Sequence, residues 1–106
     1  FIDIVRHLDS TLSNHSLYSQ EEVIDKMVYV KLFDAYGSAN WYITEYDITT
    51  KIAFGYVEYL MPDPICDEWW YISLDELKAL KIWPIPRIEP DLFFKPKRFS
   101  QIGVRR

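Results

Sequence analysis

The chain reads as an α+β fold: a small antiparallel sheet of four to five strands with one or two helices packed on one face. Three observations predict it. Between Tyr29 and Leu60, three apolar-aromatic runs surround two polar breaks, the spacing of short strands joined by turns. Ser73-Leu-Asp-Glu76 is a capping box at the head of an apolar-striped segment, with Asp75 and Glu76 suited to the positive helix start. Internal repeats and low-complexity tracts are missing, so one sheet and its helices must form the core.

In chain order, Phe1 to Leu12 predicts a short amphipathic helix, with Ile4, Val5, Leu8 and Leu12 at helical spacing. Ser13 to Ser16 ends it with turn formers. Ser19 and Glu22 suit either a capping box for one turn or a loop. Met27 to Phe33 is the first strand, with Val28, Val30 and Leu32 on one side. Asp34 to Ser38 is a turn in which Gly37 is expected to supply a positive φ. Trp41–Tyr46 and Ile52–Leu60 form a hairpin across Asp47–Lys51. With Ile43 opposite Gly55, one side carries Trp41, Ile43, Glu45, Ala53, Gly55 and Val57. The other carries Tyr42, Thr44, Tyr46, Phe54, Tyr56 and Glu58, and a slip of one residue exchanges the two sets. Met61 to Glu68 is a loop, and Trp69 to Ile72 is a fourth strand. Leu74, Leu77 and Leu80 stripe the serine-capped helix. Pro84, Pro86 and Pro90 are expected to forbid regular structure, with Leu92 to Phe94 as an edge strand after them.

With 106 residues the chain has material for one domain, residues 1–106, rather than for two independent cores. Hydrophobic residues at 49% suffice for a core, and 17% aromatics predict that large amphipathic side chains also reach the surface. There they serve as binding anchors or as half-buried sheet residues. The single Cys66 excludes an internal disulfide and a cysteine-cage metal site, and it fits a reducing, cytoplasmic setting. No run approaches the roughly 18 apolar residues of a membrane helix, so no membrane partner is expected. No basic-then-apolar leader is visible, although a start at Phe1 rather than Met leaves room for an earlier part. The formal charge of −4 hides an asymmetry: residues 1–80 hold five basic and 14 acidic residues, and residues 81–106 hold seven basic and two acidic ones. An acidic body ends in a basic tail, which either steers partners or folds back to neutralise itself.

The blocks Tyr29-Val-Lys-Leu-Phe-Asp34, Asn40-Trp-Tyr-Ile-Thr-Glu-Tyr-Asp47 and Ala53-Phe-Gly-Tyr-Val57 occur in one order with Trp70-Tyr-Ile-Ser-Leu-Asp-Glu-Leu77 and Asp91-Leu-Phe-Phe-Lys-Pro-Lys97. Together they resemble a bacterial family, domain-of-unknown-function family 2958. The likeness covers residues 17–102, leaving an unassigned amino-terminal helix over 1–16 and a tail over 103–106. It implies a small protein of plasmids, phages or other mobile elements and carries no catalytic residue. Lys51 stands where the family has glycine, so the hairpin turn must differ or Lys51 must accept strain. Trp83-Pro-Ile-Pro86 also departs from a glycine-containing segment.

Glu45 is the odd carboxylate on an apolar side. Burial would poise it as a general acid or base, or it pairs with Lys31 or caps backbone amides. Glu58, Asp63, Asp67 and Glu68 are oxygen donors for a cation or a solvated rim, and their spacing matches no calcium loop. His7 and His15 lie eight apart, which is no ligand spacing. Acidic neighbours disfavour a thiolate at Cys66, and Ser73 is spent on its cap. No metal and no cofactor is expected. Phe93, Phe94 and Phe99 interleave with Lys95, Lys97, Arg98, Arg105 and Arg106, a pattern able to hold single-stranded nucleic acid through Lys95, Lys97 and Arg98, or to pack on the acidic sheet. The reading the residues favour is a non-catalytic protein-binding module that meets its partner through Tyr42, Tyr46, Tyr56, Glu58, Asp67, Glu68 and Trp69. The alternatives are a small enzyme using Glu45 and a nucleic-acid binder using the tail.

Overall fold

A computed structural model describes residues 4–82 and 85–104. Phe1 of the expected helix, Trp83 and Pro84 of the proline-rich stretch, and Arg105 and Arg106 of the tail lie outside the described residues. The elements in order are α1 (Ile4–Thr11), β1 (Met27–Val28), β2 (Val30–Asp34), β3 (Asn40–Asp47), β4 (Ile52–Glu58) and β5 (Glu68–Ser73). After them come α2 (Leu74–Ala79), β6 (Lys81–Ile82), β7 (Ile85–Pro86), β8 (Ile88–Pro90) and β9 (Lys97–Arg98). The fold is α+β: a five-stranded antiparallel sheet in the order β5-β4-β3-β2-β8, with two helices and two small antiparallel ribbons, β1-β9 and β6-β7.

The core lies on one face. Ile4, Leu8 and Leu12 from the α1 segment and Leu74 and Leu77 from α2 meet Val30, Leu32, Trp41, Ile43, Tyr46, Ala53, Val57, Ile72 and Ile88 of the sheet. Helix α2 starts where the capping signal places it: Ser73 Oγ accepts the Glu76 N–H at 3.4 Å. Leu80 is the C-cap residue and is exposed, so only the first two leucines of the stripe are buried.

Five departures from the sequence expectations stand out. The first strand is split at Tyr29, because β1 turns away to pair with β9 while β2 pairs with β3. The prolines do not exclude strands. Pro90 sits in edge strand β8, where the neighbouring ladder bond runs from Asp91 N–H to Lys31 O, so the missing proline N–H costs nothing. The segment Leu92 to Phe94 is a turn after that strand rather than the strand itself. None of the described glycines has a positive φ. Gly37 is needed for space: a Cβ there would lie 2.8 Å from Asp34 Oδ2. The left-handed positions fall instead on Tyr18, Lys51 and Tyr59, so Lys51 does accept the strain that the glycine-to-lysine departure implied. Its ammonium reaches Asp9 at 3.0 Å.

The most consequential departure is a β-bulge. Ile43 faces Gly55 as expected, but Glu45 faces Phe54 and Tyr46 faces Ala53, leaving Thr44 as the extra residue. An extra residue inverts the alternation beyond it. Tyr46 therefore joins the core, and Glu45 moves to the opposite, aromatic face.

Candidate functional site

The face of the sheet away from the helices carries Lys31, Phe33, Asn40, Tyr42, Glu45, Phe54, Tyr56, Glu58, Trp69 and Tyr71 by register. The sequence predicts an open tyrosine side here. The structure corrects it. Tyr42 is buried on this face, Tyr46 is buried on the other, and Tyr56 is half-buried under Phe99, with ring centres 4.9 Å apart. Two segments close the face. The loop before β1 covers one end, and the turn after β9 covers the middle, where Phe99 also stacks near Trp69 at 4.7 Å.

Glu45 is the pin for the first segment. Its carboxylate is 3% exposed, and its two oxygens accept the backbone N–H groups of Tyr18 (2.9 Å) and Gln20 (2.8 Å). Gln20 extends the node by donating to Met27 O and Thr44 O and accepting from Met27 N–H. Lys26 Nζ then donates to Gln20 O and Val23 O. Of the sequence alternatives for Glu45, amide capping is the one the geometry realises. Beside it lies a cleft of about 110 Å³ lined by Tyr18, Glu21, Lys26, Glu45, Phe54 and Tyr71. The Tyr18 hydroxyl contact raises the Tyr71 phenol above its ordinary pKa.

Glu58 is the second buried acid, accepting from Tyr42 Oη at 2.9 Å and Asn40 Nδ2 at 3.0 Å. Burial, then this hydrogen bond, raises the Tyr42 pKa. Two other acids of that group bind local backbone. Asp63 accepts from Ile65 N–H at 3.0 Å, and Asp67 accepts from Tyr59 N–H at 3.1 Å, which holds the left-handed Tyr59. Glu68 is exposed at the start of β5. Among the described residues no three His, Cys, Asp or Glu side chains gather where a metal ion would sit. His15 stacks on Tyr29 at 3.9 Å, and partial burial lowers the His7 pKa. Cys66 is free and exposed.

The basic tail divides in two. Arg98 donates to Asp25 O at 3.1 Å and Ser100 binds the Asp25 carboxylate, while Arg87 pairs with Asp34 at 2.7 Å; these contacts are the folding back that the charge asymmetry allowed. Lys95 and Lys97 stay exposed beside a groove of about 430 Å³, together with Lys31, Phe93 and Phe94.

In the fourth strand the sequence reading named Glu68 and Trp69 as contacts and missed Trp70 and Tyr71. Strand β5 ends the five-stranded sheet, and its outer edge bears no further strand among the described residues. Trp69 points to the aromatic face and is half-buried, and the next residue, Trp70, projects on the helix face opposite Gly55 and is 61% exposed. Tyr71 is exposed as well. The signal was legible: two adjacent tryptophans in a strand must take opposite faces.

The fold and these surfaces define a small α+β sheet domain whose accessible features are an aromatic edge strand and a cationic groove. The chain belongs to domain-of-unknown-function family 2958, described as proteins of unknown function, whose model matches residues 4–102 and so includes α1. No curated protein and no solved structure matches it. Among the described residues no helix is long and apolar enough to cross a membrane.

Proposed function

We propose that the chain is a non-catalytic protein-binding accessory module, of a mobile element or of a larger assembly, that docks an extended segment of its partner along β5. The observation carrying this reading is the open edge of Glu68–Ser73 with Trp70 and Tyr71 exposed on its two faces. An unpaired edge offers backbone donors and acceptors to an added strand, and alternate side chains supply specificity. The edge has no lysine or proline, the usual guards against pairing. Exposed Trp and Tyr are the residue types that carry binding energy at interfaces. Glu68 beside them keeps the acidic rim of the sequence reading, while Tyr42 and Tyr46 leave the set of contacts because they are buried.

The test is capture of partners from the source cell by wild type and by a Trp70→Ala/Tyr71→Ala double variant, with folding checked by the unfolding midpoint. Loss of about 2 kcal/mol or more of binding is expected from such anchors, a reduction of over 20-fold. Equal capture by a folded double variant removes the proposal.

A further inference from the structure

We infer that the groove between β2 and the carboxy-terminal turns is a binding site for a short stretch of single-stranded nucleic acid. It is separate from the β5 edge, being lined by Lys31, Tyr42, Asp91, Phe93, Phe94, Lys95 and Lys97, with Gln101 to Gly103 closing one end. Three ammonium groups against one carboxylate make it a local island of positive charge on an acidic chain. Lys97 sits 5.5 Å over the Phe94 ring and Lys31 5.8 Å over the Tyr42 ring, so the charges are held beside aromatic walls instead of trailing in solvent. Phe93 is 93% exposed at the rim. A bare phenyl face among lysines matches a ligand that alternates anionic and flat aromatic groups, as a single strand does. A run of carboxylates satisfies the lysines and leaves Phe93 without a function. At about 430 Å³ the groove has the size of a small-ligand site and has room for a short single-stranded segment. The contact set differs from the tail read off the sequence: Arg98 donates to Asp25 O, Lys31 joins Lys95 and Lys97, and Phe93 of that tail stays in the set.

The acidic body limits the affinity and makes it salt-sensitive. Three neutralised phosphates give a slope of about −2 in log affinity against log salt, roughly a 20-fold loss between about 50 and 200 mM salt. The experiment is fluorescence anisotropy of a labelled oligothymidylate with the full chain, titrated at several salt concentrations. Lys95→Gln/Lys97→Gln should weaken binding and flatten the slope by about 1.4. Phe93→Ala should weaken it at least about fivefold with the slope unchanged, because stacking is lost and charge is not. All three positions are exposed, so unfolding midpoints should match wild type. Absence of wild-type binding at low salt, or Phe93→Ala binding as wild type does, overturns the inference. Equal competition by a polyglutamate peptide overturns it too, in favour of an acidic protein segment.

Discussion

The two faces of the sheet are closed by different physics. On the helix face, Leu8, Leu12, Leu32, Ile43, Leu74 and their neighbours exclude water by apolar contact, and the stabilisation is spread over many side chains. On the opposite face two buried acids, Glu45 and Glu58, do much of the holding through a few short hydrogen bonds. A dispersed apolar face tolerates change at any one place; a pinned face depends on its pins. The seam between the two is the bulge at Thr44, which sends Tyr46 to one side and Glu45 to the other.

The largest effect should come from attacking that seam. A Cβ at Gly55 would lie 2.2 Å from Tyr42 O, a backbone atom that cannot step aside. Gly55→Ala should cost about 3 kcal/mol or more, read as the urea midpoint, since overpacking of rigid neighbours is rarely relieved. A midpoint within error of wild type would mean that the strands at the seam shift freely. Next comes the pin itself. Glu45→Ala leaves two backbone N–H groups without their acceptor, at about 1–3 kcal/mol each. Glu45→Gln, which keeps one carbonyl oxygen, should lose roughly half as much. Hydrogen exchange at the Tyr18 and Gln20 amides should accelerate in both, while amides of Leu32 and Ile43 should be slowed or sped only by the change in global stability.

Tyr46→Phe tests the apolar face at its buried hydroxyl. The Tyr46 hydroxyl donates to Asp9 Oδ1 at 2.6 Å; burial first, then this bond, raises its pKa, while the bond lowers that of Asp9. A phenol whose folded pKa lies above the unfolded value of 10.0 contributes stability that is present below that pH and lost as pH climbs above it. The variant should lose about 1 kcal/mol at neutral pH and show a shallower fall of the urea midpoint above pH 10. An equally steep alkaline fall would assign it to Tyr42 or another phenol. The smallest effect concerns Lys51. Its left-handed backbone costs energy that the half-exposed pair with Asp9 only partly offsets. Lys51→Gly should therefore be more stable than Lys51→Ala by about 1 kcal/mol in the same denaturation assay. Equal stabilities would show that the turn relaxes.

Much of this could be read from residues alone. The strands, the hairpin register at Ile43 and Gly55, the Ser73 cap and the family all follow from local pattern and chemistry. What was illegible is non-local. Nothing in Asn40-Trp-Tyr-Ile-Thr-Glu-Tyr46 announces an extra residue, because the bulge is fixed by the approach of Gly55 and by the amides that the loop at Tyr18 and Gln20 brings to Glu45. The burial of Tyr42 likewise depends on its pairing with Glu58 and on cover from far along the chain. Pro90 in a strand shows the same limit: its meaning depends on which edge faces a neighbour, and that is a property of the sheet. The candidate surfaces moved accordingly, from Tyr42 and Tyr46 to Trp70 and Tyr71, and from Arg98 to Lys31.

The supernumerary threonine is the one letter of its strand that the neighbouring strand does not count. Loss of that single codon would restore unbroken alternation and leave the acid opposite Phe54 and the phenol opposite Ala53, each on the side it now occupies. A deletion is therefore absorbed at this one letter, whereas loss of a residue that does have an opposite number slides its neighbours onto the wrong side.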